Sequence, residues 1–334
     1  MSFLALFIII LTVVACLDLD TLLFWKSHHS SPYYGNQSDP DGPILRGNYD
    51  TPGNARSVFV SGDLAYVADG TNGLVIIDVS DIENLNLIGT YNTAGDAKGV
   101  VVSGSYAYVA DGTNGLVVVD IANPANPNIS GNYNTAGIAT GVVVLGNYAY
   151  VADDTNGLVI VDVSNPASLI LVGSYNTVGA AYSVVVSGNY AYLADGSNGL
   201  VIIEVSDPAN PTVNGSYNTG GDARGLAILG NYAYVADYNN GLLVINITNP
   251  TSPTYLNAYG MASYAMNVRL AGNYAYVANY SDGLMVLDIS DPVNPVFREQ
   301  FDTAGIAFEV YILGNYAYVA DFAGGLEMIY VSNL

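Results

Sequence analysis

An all-β fold of seven equal sheets is what this sequence predicts, and three observations carry it. Aspartate, glycine and aromatic columns each recur at a spacing of 42 residues without an insertion: Asp69, Asp111, Asp153, Asp195, Asp237, Asn279 and Asp321; Gly73 through Gly325; Tyr49 through Phe301. Each unit holds four runs rich in Val, Ile and Tyr, which favour extended chain, separated by Gly, Asn, Asp and Pro clusters that favour turns. No segment of the repeat keeps an apolar period near 3.6 over about ten residues, so helices are not expected there.

The second unit shows the elements in order. Its strands are Gly99–Ser103, Tyr106–Ala110, 116–121 and Asn128–Tyr133. The first and third are aliphatic at consecutive positions, the mark of a strand buried on both faces. In the second, Tyr106 and Tyr108 share one face while Ala107 and Val109 share the other. Large side chains facing small ones let stacked sheets interdigitate. A four-stranded unit of about 40–45 residues stacked on copies of itself is a β-propeller blade. The first strand signal, 44–50, aligns with a fourth strand, and the last unit stops at a third strand, 326–331. Together they complete a seven-bladed β-propeller, so 44–50 is expected to pair with 326–331. Pairing at that seam leaves no long open edge.

Ahead of the repeats, residues 1–14 form a nearly uninterrupted apolar run, of signal-peptide length and short for a membrane span. It leads into Val13-Val14-Ala15-Cys16, which resembles a bacterial lipobox. Residues 1–16 are therefore read as signal peptide and lipobox with Cys16 lipidated, 17–43 as a tether rich in Ser, Pro, Asp and Gly, and 44–334 as the propeller. The expected location is the cell envelope or the secreted fraction, with membrane contact only through this anchor. Seven Lys and Arg against 29 Asp and Glu, a formal charge of −22, exclude a basic nucleic-acid groove. One cysteine excludes an intrachain disulfide framework.

The third strands read Leu74–Asp78, Leu116–Asp120, Leu158–Asp162, Leu200–Glu204, Leu242–Asn246, Leu284–Asp288 and Leu326–Tyr330, with Leu-Val-Ile-Val-Asp itself at 158–162. With these motifs the chain resembles the LVIVD-repeat family over about 290 residues, 44–334. That resemblance implies an extracytoplasmic or surface β-propeller, mostly without an assigned activity.

No histidine or cysteine lies in 44–334, so Ser-His-Asp and Cys-His chemistry are excluded there, and no catalytic residue, cofactor or metal is assigned. Two acidic columns, the Asp69 series and the Asp78 series, hold 11 of the 29 acids. Each loop offers too few carboxylates for calcium, which takes about 6–8 oxygens. Both columns are therefore expected to cap turns as Asx-type acceptors. The informative positions are those that break the repeat. After the Asp column, Gly70, Gly112, Asp154 and Gly196 give way to Tyr238, Tyr280 and Phe322. In the links between units, Tyr264 replaces Asp96, and Tyr182, Arg224, Met266 and Phe308 replace Lys98. Arg269 and Glu309 enter normally aliphatic first strands, where they are placed to form an ion pair near the axis. These eight residues, Tyr238, Tyr264, Met266, Arg269, Tyr280, Phe308, Glu309 and Phe322, fall in units five to seven and on one rim. Exposed aromatics beside charged groups mark binding surfaces. The reading is a non-catalytic binding or scaffold module for a protein or glycan, the alternative a propeller enzyme acting on extracellular polysaccharide.

Overall fold

A computed structural model describes residues 42–331. The expected leader, Cys16 and the tether up to residue 41 lie outside the described residues. Within them the chain forms seven four-stranded antiparallel sheets. After β1 (Ile44–Tyr49), blade one consists of β2 (Ser57–Ser61), β3 (Leu64–Ala68), β4 (Leu74–Asp78) and β5 (Asn86–Tyr91), hydrogen-bonded in chain order. Strands β6–β25, residues 99–301, repeat that order through blades two to six. Blade seven is β26 (Glu309–Leu313), β27 (Tyr316–Ala320), β28 (Leu326–Tyr330) and the returning β1. The seam is the pairing the sequence predicts: Tyr49 lies opposite Leu326, and Ile44 opposite Tyr330.

The aliphatic runs follow from where each blade must face. Leu74 and Ile76 pack with Tyr66 and Ala68 against Ala107, Val109, Val117 and Val119 of blade two. Their neighbours Val75 and Ile77 point the other way, onto Tyr318, Ala320, Leu326 and Met328 of blade seven. The third strand β4 is thus apolar from Leu74 to Ile77 because both its faces are interior. Burying each such Val, Leu or Ile contributes about 1.5–3 kcal/mol, and the interface that closes the ring has the same composition as those inside it.

Two glycine columns set the spacing of the ring. Gly73, at φ 80°, ends the turn before the third strand, and a Cβ there would lie 2.4 Å from the Tyr91 carbonyl oxygen. Gly89 lets the outer strand of blade one approach the next blade, where a Cβ would come within 2.2 Å of the Pro124 oxygen. Blade five has Asn257 in that column, and its Nδ2 instead donates to the Val293 carbonyl at 2.9 Å. The turns between second and third strands and the links between blades share one rim. Short backbone bridges join them, as between Gly70 and Ala97 or Tyr238 and Ala265.

Candidate functional site: an aromatic arc on one rim

The rim is built on a repeated side-chain connection between blades. Thr51, at the start of the link into blade one, donates from Oγ1 to Asp69 Oδ1 at 2.6 Å, while Asn72 Nδ2 donates to the other oxygen at 3.3 Å. The same hydroxyl contact joins Thr93 to Asp111, Thr135 to Asp153, Thr177 to Asp195, Thr219 to Asp237 and Thr303 to Asp321. This corrects the expectation for the first acidic column. Its carboxylates are fully buried and accept a hydroxyl from 18 residues upstream, rather than only capping the turn that follows. The second column does cap turns: the amides of Ser80, Ala122, Ser164 and Ser290 donate to Asp78, Asp120, Asp162 and Asp288. The hydroxyls of Ser80, Ser164 and Ser290, and then their amides, hold the Asp78, Asp162 and Asp288 carboxyls below the usual range.

Over this frame the rim of blades five to seven carries a continuous chain of rings. Tyr238 and Tyr264 stack with centroids 4.1 Å apart and planes 7° from parallel. Tyr264 meets Tyr280 edge-on at 5.5 Å, Tyr280 meets Phe308 at 6.3 Å, and Phe308 stacks on Phe322 at 5.1 Å. Aromatic pairs at such distances are worth about 0.5–1.5 kcal/mol beyond their burial. A guanidinium closes each end. Arg224 lies 5.2 Å from the Tyr238 centroid and 4.1 Å from that of Tyr182. Arg56 lies 5.5 Å from the Phe322 centroid and 5.9 Å from that of Phe308. Both are held by acids of the links: Arg224 by Asp222 at 2.5 Å, and Arg56 by Asp96, which also binds Lys98 at 2.9 Å. Burial, then the neighbouring phenols, raises the Tyr238 hydroxyl above its ordinary value.

The backbone beneath three of these rings is strained. Tyr238, Tyr280 and Phe322 have φ of 44°, 48° and 50°, where blades one, two and four have glycine. For an L residue the left-handed region costs about 1–2 kcal/mol, and for a bulky side chain it is a true outlier.

Of the eight residues singled out from sequence, Tyr238, Tyr264, Tyr280, Phe308 and Phe322 form the arc. Met266 packs instead against the core between blades six and seven. Arg269 and Glu309 pair with each other across adjacent first strands, and the Arg269 Nε and Asn267 Oδ1 beside them are buried without a partner. Phe59 and Tyr311 pack at 5.0 Å in the same layer. Sequence reasoning left out of the site Tyr182, Arg224 and Arg56, which occupy the Lys98 column. The available signal was that this column holds only large cationic or apolar side chains outside Thr140.

Blades six and seven also depart beneath the arc. In blade six the Thr–Asp pair is replaced by Met261 and Asn279. Asn279 is fully buried with neither amide atom partnered. In blade seven Gly324 replaces the asparagine of the turn, and Glu327 stands where four blades have valine. Glu327 is 2 % exposed. Its Oε1 accepts the Ala304 amide at 2.9 Å, and its Oε2 has no partner. Burial, then charge from Asp321 and Asp302, pushes Glu327 up to about 7, and burial pushes Asp321 up to about 6. Among the described residues no three acidic, histidine or cysteine side chains converge in a way that could hold a metal ion.

A closed ring of seven near-identical sheets, with its departures gathered on one rim, defines a seven-bladed propeller repeat protein. The chain belongs to the LVIVD repeat family, with matches at 52–93, 94–135, 136–177, 178–219, 220–260, 262–303 and 304–334. No curated protein sequence matches it. Among solved structures it is similar to the β-propeller domain of Myceliophteria thermophila Cps50 (Swd1), at 12 % identity and a TM-score of 0.71 over 87 % of this chain and 100 % of that one. The Neurospora crassa Pan2 WD40 domain is similar at 15 % identity and a TM-score of 0.69, over 89 % and 97 %. BamB from Moraxella catarrhalis follows at 14 % and 0.60, over 87 % and 88 %. At these identities the likeness shows the fold alone. A propeller of such repeats suits a binding or scaffold role.

Proposed function

We propose that this protein is a non-catalytic binding module of the cell envelope that holds a protein or glycan on the rim of blades five to seven. The observation that carries the reading is the strained aromatic column. Glycine serves the same turn without strain in blades one, two and four, so rings are retained in blades five to seven against a local cost. Strain held in place by surrounding structure concentrates at functional sites, and Tyr and Arg are the residues that dominate binding interfaces. The lipobox-like Val13-Val14-Ala15-Cys16 supports export and lipid anchoring.

The test compares the full chain with a Tyr238→Ser/Tyr264→Ser/Tyr280→Ser variant on a glycan array and in pull-downs from envelope extract. A bound species lost from the variant, but kept when Ile138 on the opposite arc is changed to Ser, is the expected result. Equal binding by both variants overturns the reading. Anchoring is tested separately: Cys16→Ser moves the protein from the membrane fraction to the soluble one, and an unchanged fractionation overturns it.

A further inference from the structure

The orientation and charge of the arc narrow its ligand. A sugar stacks on an aromatic through a free ring face, and the stacked pairs at the two ends of this arc turn ring faces toward each other. Tyr238 has Tyr264 stacked at 4.1 Å and the Arg224 guanidinium over it. Phe322 has Phe308 stacked at 5.1 Å and Arg56 over it. Between these pairs the arc offers edges as well as faces: Tyr264 meets Tyr280 edge-on and Tyr280 is tilted on Phe308. A ring edge carries the positive side of the aromatic quadrupole, so it favours carbonyl and carboxylate oxygens and apolar side chains that wedge between rings. Tyr264, 38 % exposed, is the most accessible of the arc.

The two ends differ in charge. At the Phe322 end, Arg56 and Lys98 share the single acid Asp96, leaving a positive surplus. At the Tyr182 end, Arg224 is outnumbered by Asp222 and Asp154, both of which act on the Tyr182 hydroxyl. In a chain of net charge −22, three of the six described basic side chains stand in the one column that borders the arc.

Resting on the binding reading above, we infer that the occupant is an extended protein segment: aromatic or aliphatic side chains along the arc, an acidic residue toward Arg56 and Lys98, and a basic one toward Asp154 and Asp222. Peptide recognition supplies both requirements, since a strand presents carbonyl oxygens along its length and side-chain wedges at alternate positions.

The probe is a dodecapeptide library displayed on phage and selected on the full chain, with enriched sequences resynthesised and titrated by fluorescence anisotropy. Enriched peptides are expected to share an apolar centre with opposite charges at its two ends. Tyr264→Ser should weaken them about tenfold. Lys98→Glu should weaken them several-fold and lose that effect when the acidic residue of the peptide is neutralised. Failure to enrich such a consensus, or a Lys98→Glu effect independent of the acidic residue, overturns the peptide assignment. The same variants on a glycan array separate the two readings. Glycan binding abolished by Tyr264→Ser keeps the arc as the site and overturns the peptide. Selected peptides that bind Tyr264→Ser and Tyr238→Ser undiminished overturn the arc itself.

Discussion

Blades one to four and blades five to seven share one skeleton and differ in what that skeleton carries. In the first group the turn after the second strand is glycine or Asp154, Thr–Asp contacts are complete, and the outer-strand column is glycine, as at Gly89. In the second group the turn carries Tyr238, Tyr280 or Phe322. Blade six loses its Thr–Asp contact, and the outer-strand column holds Asn257 and then Glu299. Sheet register is the same in both groups, for example Gly99 opposite Ala110 and Asn267 opposite Ala278. A repeat fold whose interfaces are redundant can thus give up local rules in three blades without losing the ring, and the aromatic departures among them gather on one rim.

The largest expected contrast lies in the buried Asp column. Asp111→Ala leaves the Thr93 hydroxyl without its acceptor and takes one of two from the Asn114 amide, which keeps the Thr93 carbonyl at 3.0 Å. A buried group left unpaired costs about 1–3 kcal/mol, so a loss of about 3 kcal/mol is expected in urea unfolding. Asn279→Ala, the same position in blade six, removes an amide that has no partner and should be neutral to within about 1 kcal/mol. Equal losses at the two positions would mean that blade six is not exempt from the pattern.

Glu327 gives the next effect and its sign is fixed by burial. The unfolded chain ionises near the ordinary 4.5, and the folded protein holds the proton up to about 7. The contribution of Glu327 to stability is therefore greatest below about pH 4.5, declines as pH rises to about 7, and is level above that. Glu327→Val restores the residue of blades one to four and removes this slope. At about 1.4 kcal/mol per pH unit, the variant should gain about 3 kcal/mol over the parent between pH 4.5 and 7.5. Asp321, raised in the same direction, remains in both proteins and acts on Glu327, so the difference between the curves reports the pair. A parallel pair of stability–pH curves would sink this account.

How much of this was legible in the sequence depended on whether a feature repeats. Closure of 44–49 on 326–330 followed from counting strands, because a column of 42 admits one register. The arc followed from reading where the Gly70 column turns aromatic. The cations that bracket it were missed because Arg56 and Arg224 are ordinary surface residues until their position over a ring is known. The Asp69 column was misread as turn chemistry because its partner, Thr51, lies in the preceding link, and no local pattern announces that contact. Glu327 is one letter in an apolar strand, and only the burial of both faces of β28 makes it a titrating group at neutral pH.

The smallest effect asks whether the arc is kept for folding or for binding. Phe322→Gly relieves a left-handed residue, worth about 1–2 kcal/mol, and gives up ring contacts with Phe308 and Arg56 worth about as much. The two offset, and the unfolding midpoint should move little. Gly70→Phe in blade one puts the same ring at φ 60° with space for its Cβ, the nearest atom being 3.5 Å away. The neighbouring Arg56 already lies over Phe308 and Phe322 and has little to give a further ring, so the substitution should cost the strain of about 1–2 kcal/mol. If Gly70→Phe were as well tolerated as Phe322→Gly, the backbone would be indifferent to bulk at this turn. The aromatic column would then record drift between repeats rather than a surface retained against strain.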